Sequence, residues 1–85
     1  MVNKWLTPRF TKKQVIRISL YDQHGKVKNI LAKKALPYYA QVAEVISCNL
    51  YEMGHKAVLV YKVKTEDGNI LSLTEDCIMA INDKL

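Results

Sequence analysis

The sequence predicts a small all-β domain, and the stretch from Lys56 to Thr74 is the main reason. Residues 58–63 alternate between two sides, which is the two-residue period of a β-strand. Asp67-Gly68 follows, a pair typical of two-residue hairpin turns because glycine adopts positive φ without strain. Residues 70–73 supply an apolar return strand. We therefore expect a β-hairpin at the centre of the fold.

The length sets the domain organisation. Eighty-five residues, 49% of them apolar, make one globular domain rather than a disordered chain. Pro8 keeps the residue before it extended and delays the first regular element. We expect an N-terminal arm over residues 1–9 and a single domain over residues 10–85.

The first strand is predicted between Val15 and Leu20. Val15 and Arg17 point to one side and Ile16 and Ile18 to the other, as a half-buried strand requires. Residues 22–25, Asp-Gln-His-Gly, are typical of a turn. Residues 26–31 are then expected to form a short strand or an extended loop.

Residues 38–53 allow two interpretations. Five apolar residues fall on one helical face, and Gly54 follows where a helix would end. The members of that face are Tyr39, Val42, Ile46, Leu50 and Met53. A helix here would give an α+β fold with the order ββαββα. Residues 40–45 equally suit a bulged strand, which the β-branched residues favour.

The end of the chain also allows two interpretations. Thr74 can cap a helical turn, and Glu75 and Asp76 suit the N-terminus of a helix. Either a short helix or a single 3₁₀ turn followed by a strand through residues 79–81 fits this pattern.

The order of these segments resembles that of SH3-like barrels of the Tudor and KOW type. Five segments carry the resemblance in sequence: Phe10 to Ile18, Ala40 to Val45, Tyr61-Lys-Val63 with Asp67-Gly68, Ile70 to Leu73, and Glu75-Asp-Cys-Ile78 with Ala80-Ile81. The resemblance covers about residues 10–81 and implies a five-stranded barrel with one short helical turn near residues 74–77. The chain departs from it at Ala40, where glycine is common, and in its long loop over residues 19–39.

The charge is distributed unevenly. The net charge is +5, but residues 1–34 hold nine bases and one acid, whereas residues 35–85 hold four bases and seven acids. Such asymmetry favours an anionic partner, either nucleic acid or an acidic protein surface. The turn at residues 22–25 is expected to fold two basic runs towards each other as a phosphate-binding patch. The predicted nucleic-acid-binding residues are Arg9, Lys12, Lys13, Arg17, Lys26, Lys28, Lys33 and Lys34.

Tyrosines are the second set of candidate binding residues. In SH3-like barrels the loops after the first two strands usually form the ligand groove. The resemblance therefore implies a partner-binding groove lined by Tyr21, Tyr38, Tyr39 and Tyr51. Tyr61, in the middle of a strand, is expected to pack inside, and Trp5 to cover the small core.

The sequence favours neither catalysis nor metal binding. Cys48, His55 and Cys77 have no usual ligand spacing, and the cysteines are expected to be small core residues. The three glycines form no phosphate loop. One SH3-like family, the plasmid-borne type II dihydrofolate reductases, is enzymatic. Its Val-Gln-Ile-Tyr strand has no counterpart here, since Ile70-Leu-Ser-Leu73 stands in its place. We expect no metal, no cofactor and no enzymatic activity.

These observations predict a non-enzymatic binding module. Nucleic acid, bound through the basic N-terminal half, is the first expected partner. The alternative is a protein-interaction or regulatory module whose loop tyrosines contact a peptide or protein. Since no apolar run suggests a secretion signal or membrane span, we expect a cytoplasmic protein. We expect it to be a monomer or a weak homo-oligomer.

Overall fold

Five antiparallel strands form one sheet in the computed structural model of the protein, which describes residues 7–81 apart from the side chain of Met53. The elements are β1 (Val15–Ile18), α1 (Ile30–Lys34), a first 3₁₀ turn (Leu36–Tyr38), β2 (Val42–Met53), β3 (Lys56–Thr65), β4 (Ile70–Thr74), a second 3₁₀ turn (Glu75–Cys77) and β5 (Ile78–Ala80). Their order across the sheet is β4-β3-β2-β1-β5. The all-β prediction is confirmed. The predicted arm, including Trp5, lies mostly outside the described residues.

The core lies on one side of the sheet. Ile16 and Ile18 of β1 and Tyr61 and Val63 of β3 are fully buried, so the predicted alternation in both strands is confirmed. Further core residues come from the other strands and from the connections: Phe10, Leu20, Ala32, Ala35, Ala43, Val45, Leu59, Leu73, Cys77 and Ile78. Each fully buried large aliphatic side chain stabilises the fold by about 1.5–3 kcal/mol relative to an exposed one.

Residues 42–53 are a strand, so the ββαββα interpretation is wrong. Ala43 and Val45 are buried while Glu44 between them is exposed, a two-residue rather than a helical period. The register with β3 shifts between Val45 and Ser47, which marks a bulge. Cross-strand pairing over the whole of β2 overrides the helical spacing of its apolar residues, because β-branched side chains pack well on a pleated surface.

Gly54 closes a hairpin rather than ending a helix. Met53 pairs with Lys56, which leaves Gly54 and His55 as a two-residue loop between β2 and β3. Gly54 has a φ of 64°, a value that glycine adopts without strain. Two-residue hairpin loops need such a residue.

The turn between β3 and β4 has three residues instead of the predicted two. The N–H of Thr65 donates to the carbonyl of Asn69 at 2.8 Å, so residues 66–68 form the loop. The N–H of Gly68 donates to the carbonyl of Thr65 at 3.0 Å. Gly68 has a φ of 91°, whereas Asp67 is not among the positive-φ residues. A tight turn followed by a left-handed glycine is a common three-residue hairpin loop.

The connection from β1 to β2 contains a helix that the sequence analysis did not predict. The turn at residues 22–25 is confirmed, with Gly25 at a φ of 77°, but beyond it only Val27 forms a bridge, to Tyr21. The expected strand or loop then gives way to α1. The Oδ1 atom of Asn29 accepts the N–H of Ala32 at 2.8 Å and so caps this helix.

The last segment takes the second of its two predicted forms. A 3₁₀ turn at residues 75–77 is followed by the short strand β5, which pairs with β1. Thr74 precedes the turn, but its hydroxyl makes no capping bond to a backbone N–H. No helix within residues 7–81 is long and apolar enough to cross a membrane.

Candidate binding face

The connection between β1 and β2 brings two of the predicted groove tyrosines together. The rings of Tyr21 and Tyr39 meet edge to face, with centroids 5.0 Å apart and an interplanar angle of 76°. Tyr21 is 38% exposed and Tyr39 is 43% exposed. The pair therefore offers aromatic surface to solvent, which neither residue would offer in a sealed core.

Arg17 is hydrogen-bonded to the residue that follows Tyr39. Its Nη1 atom donates to the carbonyl oxygen of Ala40 at 2.8 Å, so the guanidinium is held next to Tyr39 in the chain. A guanidinium has five N–H donors, and one bond to a carbonyl leaves the group able to contact an anion as well. Ala40 itself is held by an N–H bond to the carbonyl of Ile18 at 2.9 Å.

Ala40 has an unusual backbone conformation at this place. Its φ is 65°, in the left-handed region that favours glycine. Backbone strain of this kind is common at functional sites, where the surrounding structure maintains it.

Lys26 supplies a second cation, in the turn that follows Tyr21. Tyr21 forms a β-bridge with Val27, so Lys26 lies at the end of the turn that begins after Tyr21. Asp22 organises this turn, since its Oδ1 atom accepts the N–H groups of His24 at 2.8 Å and Lys26 at 3.0 Å. We call Arg17, Tyr21, Lys26 and Tyr39 the loop face.

Tyr38 points to a different loop. Its hydroxyl donates to Oδ2 of Asp67 at 3.3 Å and accepts a bond from the side-chain amide of Asn69. These bonds tie the β1–β2 connection to the β3–β4 loop. A bond from the Thr65 hydroxyl is the main reason that the pKa of Asp67 is lowered, with further bonds from Asn69 and Tyr38 acting in the same direction. Tyr38 therefore links these two loops by hydrogen bonds.

Tyr51 lies far from the other three predicted groove residues. It is 48% exposed and pairs with Val58 near the end of the β2–β3 hairpin. It follows Val42 by nine positions, which corresponds to about 30 Å along β2. The structure thus brings Tyr21 and Tyr39 together. Tyr38 instead bonds to the β3–β4 loop, and Tyr51 lies far along β2.

The remaining predicted basic residues are spread over the molecule. The guanidinium of Arg9 lies 5.3 Å from the ring centroid of Phe10. The N–H of Lys13 donates to the carbonyl of Val45 at 2.7 Å, which places the exposed Lys12 and Lys13 beside β2. Lys28 bonds through Nζ to the carbonyl of Asp76.

Lys33 and Lys34 form the last turn of α1 and are exposed. Because α1 packs against β4, these two lysines lie near one end of the sheet. Lys12 and Lys13 lie beside β2, and β3 separates that strand from β4 in the sheet order. The two basic runs are thus attached to different strands.

A partly buried polar cluster joins the start of the domain to its centre. The hydroxyl of Tyr61 donates to Oε2 of Glu75 at 2.6 Å and accepts the backbone N–H groups of Arg9 at 3.0 Å and Phe10 at 3.4 Å. The N–H of Arg9 also reaches Oε2 of Glu75 at 3.2 Å. The ring of Phe10 packs edge-on against Tyr61, with centroids 5.7 Å apart. We call these four residues the Tyr61 clamp.

The ionisable groups of the interior favour their neutral forms. Burial, followed by the hydrogen bond to Glu75, raises the pKa of Tyr61 well above its ordinary value. Burial also raises the pKa of the Cys48 and Cys77 thiols. Protonated thiols are weak nucleophiles. Within residues 7–81, no three His, Cys, Asp or Glu side chains are grouped closely enough to hold a metal ion.

Two features of the connection between β1 and β2 were missed from the sequence. One is the carbonyl of Ala40 as the anchor for Arg17, and the other is Asn29, whose side-chain amide donates to the Thr74 hydroxyl at 2.8 Å. The spacing of Asn29 to Ala32 is a helix-capping signal that could have revealed the second.

No family model, curated protein or solved structure matches this chain.

Proposed function

We propose that this chain is a non-enzymatic, SH3-like binding module that associates with nucleic acid in the cytoplasm. What supports the barrel is the strand order β5-β1-β2-β3-β4, a bulged long β2, and a 3₁₀ turn leading into β5. A bulge of this kind lets one long strand bend and belong to two parts of a curled sheet.

The observation that carries the nucleic-acid proposal is the loop face. It combines two exposed aromatic rings with two cations. Surfaces that bind nucleic acid use both kinds of group, rings for the bases and cations for the phosphates. Bases stack on tyrosine rings, and each stacked base contributes about 1–3 kcal/mol. Arg17 and Lys26 supply the cations for the phosphates of such a strand.

The remaining bases add a long-range attraction. Residues 1–34 carry nine bases and one acid, so a polyanion is attracted to this half of the chain before any contact is made. Each neutralised phosphate releases condensed counterions, and affinity therefore falls as salt rises. Lysine contacts to phosphate do not read bases, so sequence preference is expected to be slight.

Fluorescence anisotropy with a labelled single strand and a labelled duplex, at low and near-physiological salt, tests the proposal. Lys26→Gln should lower the slope of log affinity against log salt by about one. Lys64→Gln is the matched control, because Lys64 is exposed on β3 and lies opposite Glu44. The absence of binding to both nucleic acids at low salt would contradict the proposal.

Lys33 and Lys34 provide a second measurement on the same probes. Replacing both with Glu is expected to weaken binding, since two cations become anions. It should not unfold the domain, because exposed charges contribute little to stability. Unchanged binding by this variant would restrict the footprint to the loop face and the first strand.

A protein partner is the second candidate function, and the end of the β2–β3 hairpin favours it. Leu50 is 50% exposed and Tyr51 is 48% exposed on this hairpin. Exposed apolar and aromatic side chains of this kind are typical of protein interfaces. A pull-down from source cells, with and without nuclease, separates the two candidates: partners retained after nuclease treatment support a protein, and partners released by it support nucleic acid.

A further inference from the structure

We infer that the Tyr21–Tyr39 pair is a stacking site for unpaired bases, so that the chain prefers single-stranded to duplex nucleic acid. This inference rests on the proposed function and specifies its ligand. The geometry of the two rings, the cations on the adjoining segments and the hydrogen-bonded backbone each support it.

The rings are accessible in a way that suits an unpaired base. In an edge-to-face pair one ring presents a face to the edge of the other, and more than a third of each side chain stays exposed. A base from a single strand can lie against such a surface. A base within a duplex is already stacked on its neighbours and must be unstacked before it can reach a protein ring.

Each tyrosine adjoins a segment that carries a cation. Arg17 is bonded to Ala40, the residue after Tyr39, and Lys26 precedes Val27, the bridge partner of Tyr21. A strand whose bases stack on the rings would therefore have a cation available for its phosphates at both tyrosines. Asp22 is the acid nearest in sequence, and one of its oxygens already accepts two backbone N–H groups.

The backbone holds both tyrosines in place before any ligand binds. Tyr21 is fixed by its bridge to Val27. The N–H of Tyr39 donates to the carbonyl of Leu36 at 3.1 Å, and Ala40 is bonded to Ile18. Because little of the backbone has to be ordered on binding, a base that stacks here loses little affinity to conformational entropy.

Tyr51 lacks this arrangement and is the matched control. It is exposed to a similar extent, but it lies about 30 Å along β2 from the strand's start, near the other end of the sheet. Replacing Tyr51 removes an equally exposed aromatic ring without touching the loop face.

The test compares the affinity for a fluorescein-labelled oligo(dT) of about twelve nucleotides with that for a duplex of the same length, at low salt. The wild-type protein should bind the single strand more tightly. The double variant Tyr21→Leu/Tyr39→Leu should lose about tenfold or more in single-strand affinity, since stacking on each ring contributes at least several-fold. Its duplex affinity should stay unchanged, and Tyr51→Leu should change neither.

Further variants guard against a loss of folding. Tyr21→Phe/Tyr39→Phe keeps the rings and should retain single-strand binding, and circular dichroism should show the same melting temperature for all variants that are compared. If the leucine variant does not fold, the ratio of the wild-type affinities decides. Equal affinity for single strand and duplex would overturn this inference and leave the proposed function intact. Binding of neither probe would overturn the proposed function.

Discussion

The Tyr61 clamp and the loop face use tyrosine in opposite ways. In the clamp the hydroxyl of Tyr61 makes the polar contacts. Tyr61 is fully buried, and its hydroxyl donates to Glu75 and accepts two backbone N–H groups. On the loop face the rings of Tyr21 and Tyr39 stay exposed and touch each other. A buried hydroxyl with satisfied bonds stabilises the fold, whereas an exposed ring leaves its surface available to a partner. Substitutions in the two regions should therefore separate stability from binding.

The largest expected effect is the loss of the clamp hydroxyl. Tyr61→Phe leaves the buried N–H of Phe10 without its hydroxyl partner, whereas the half-buried Glu75 keeps its bond from the N–H of Arg9. An unsatisfied buried group of this kind costs about 1–3 kcal/mol. We expect a loss of about 2 kcal/mol in the free energy of unfolding, measured by urea denaturation, and unchanged nucleic-acid affinity.

Tyr39→Phe is the control for this prediction. Its hydroxyl lies on an exposed residue, so its removal should change the free energy of unfolding by less than about 0.5 kcal/mol. Equal stability losses in the two variants would mean that the clamp hydroxyl has no special role.

The turn between β3 and β4 gives the next largest effect. Gly68→Val forces a β-branched residue into a φ of 91°, although a Cβ atom there would meet no other atom within 4 Å. The cost is therefore one of backbone strain, about 1–2 kcal/mol. Thermal denaturation should show the loss, and Gly68→Asn should lose less because asparagine tolerates the left-handed region. Equal losses in both variants would point to a cause other than φ.

How far the sequence predicts this molecule depends on the range of the interactions. The hairpin from Lys56 to Thr74 and the burial of Tyr61 were predicted because local alternation and turn residues determine them. The strand over residues 42–53 stayed open, since its apolar spacing suits a helix and only pairing with β3 decides between them. Helix α1 was missed because the segment that contains its capping residue, Asn29, is rich in lysine and was interpreted as a short strand or an extended loop.

The loop face was predicted only in part, for the same reason. Its four residues were all among the candidates, but so were Tyr38, which bonds to the β3–β4 loop, and Tyr51, which lies far along β2. A sequence identifies residue types suited to binding. Which of them meet depends on a connection whose path is fixed by contacts such as that of Arg17 with the carbonyl of Ala40.

Alkaline pH should weaken the clamp selectively. Because the pKa of Tyr61 is raised in the folded state, the folded protein holds this proton more tightly than the unfolded chain, whose tyrosines ionise near pH 10. Stability from this group is therefore constant below about pH 10 and falls as the pH rises further, by at most about 1.4 kcal/mol per pH unit. Urea denaturation at several alkaline pH values should show a steeper fall for the wild type than for Tyr61→Phe. Parallel curves would contradict the assignment.

The smallest expected effect lies at Ala40, where the loop face and backbone strain coincide. Its φ of 65° costs about 1–2 kcal/mol relative to ordinary backbone, and glycine removes that cost while adding about 0.5–1 kcal/mol of unfolded-state entropy. Ala40→Gly should thus raise the free energy of unfolding by up to about 1 kcal/mol. Lys13→Gly is the matched control, because Lys13 has a φ of 75° but is bonded to β2 instead of the loop face. It should stabilise to a similar extent.

The two glycine variants should differ in binding. Glycine at position 40 gives the backbone beside Tyr39 more freedom, so more of it must be ordered when a base stacks there, and single-strand affinity should fall slightly. Glycine at position 13 leaves that backbone unchanged. Any loss of affinity in Lys13→Gly should be no larger than the loss of one cation explains. The slope of log affinity against log salt should then be lower by about one. If Ala40→Gly destabilises the fold, the left-handed conformation at this position is not strained. If it stabilises the fold and leaves single-strand affinity unchanged, the strain at Ala40 does not serve the loop face.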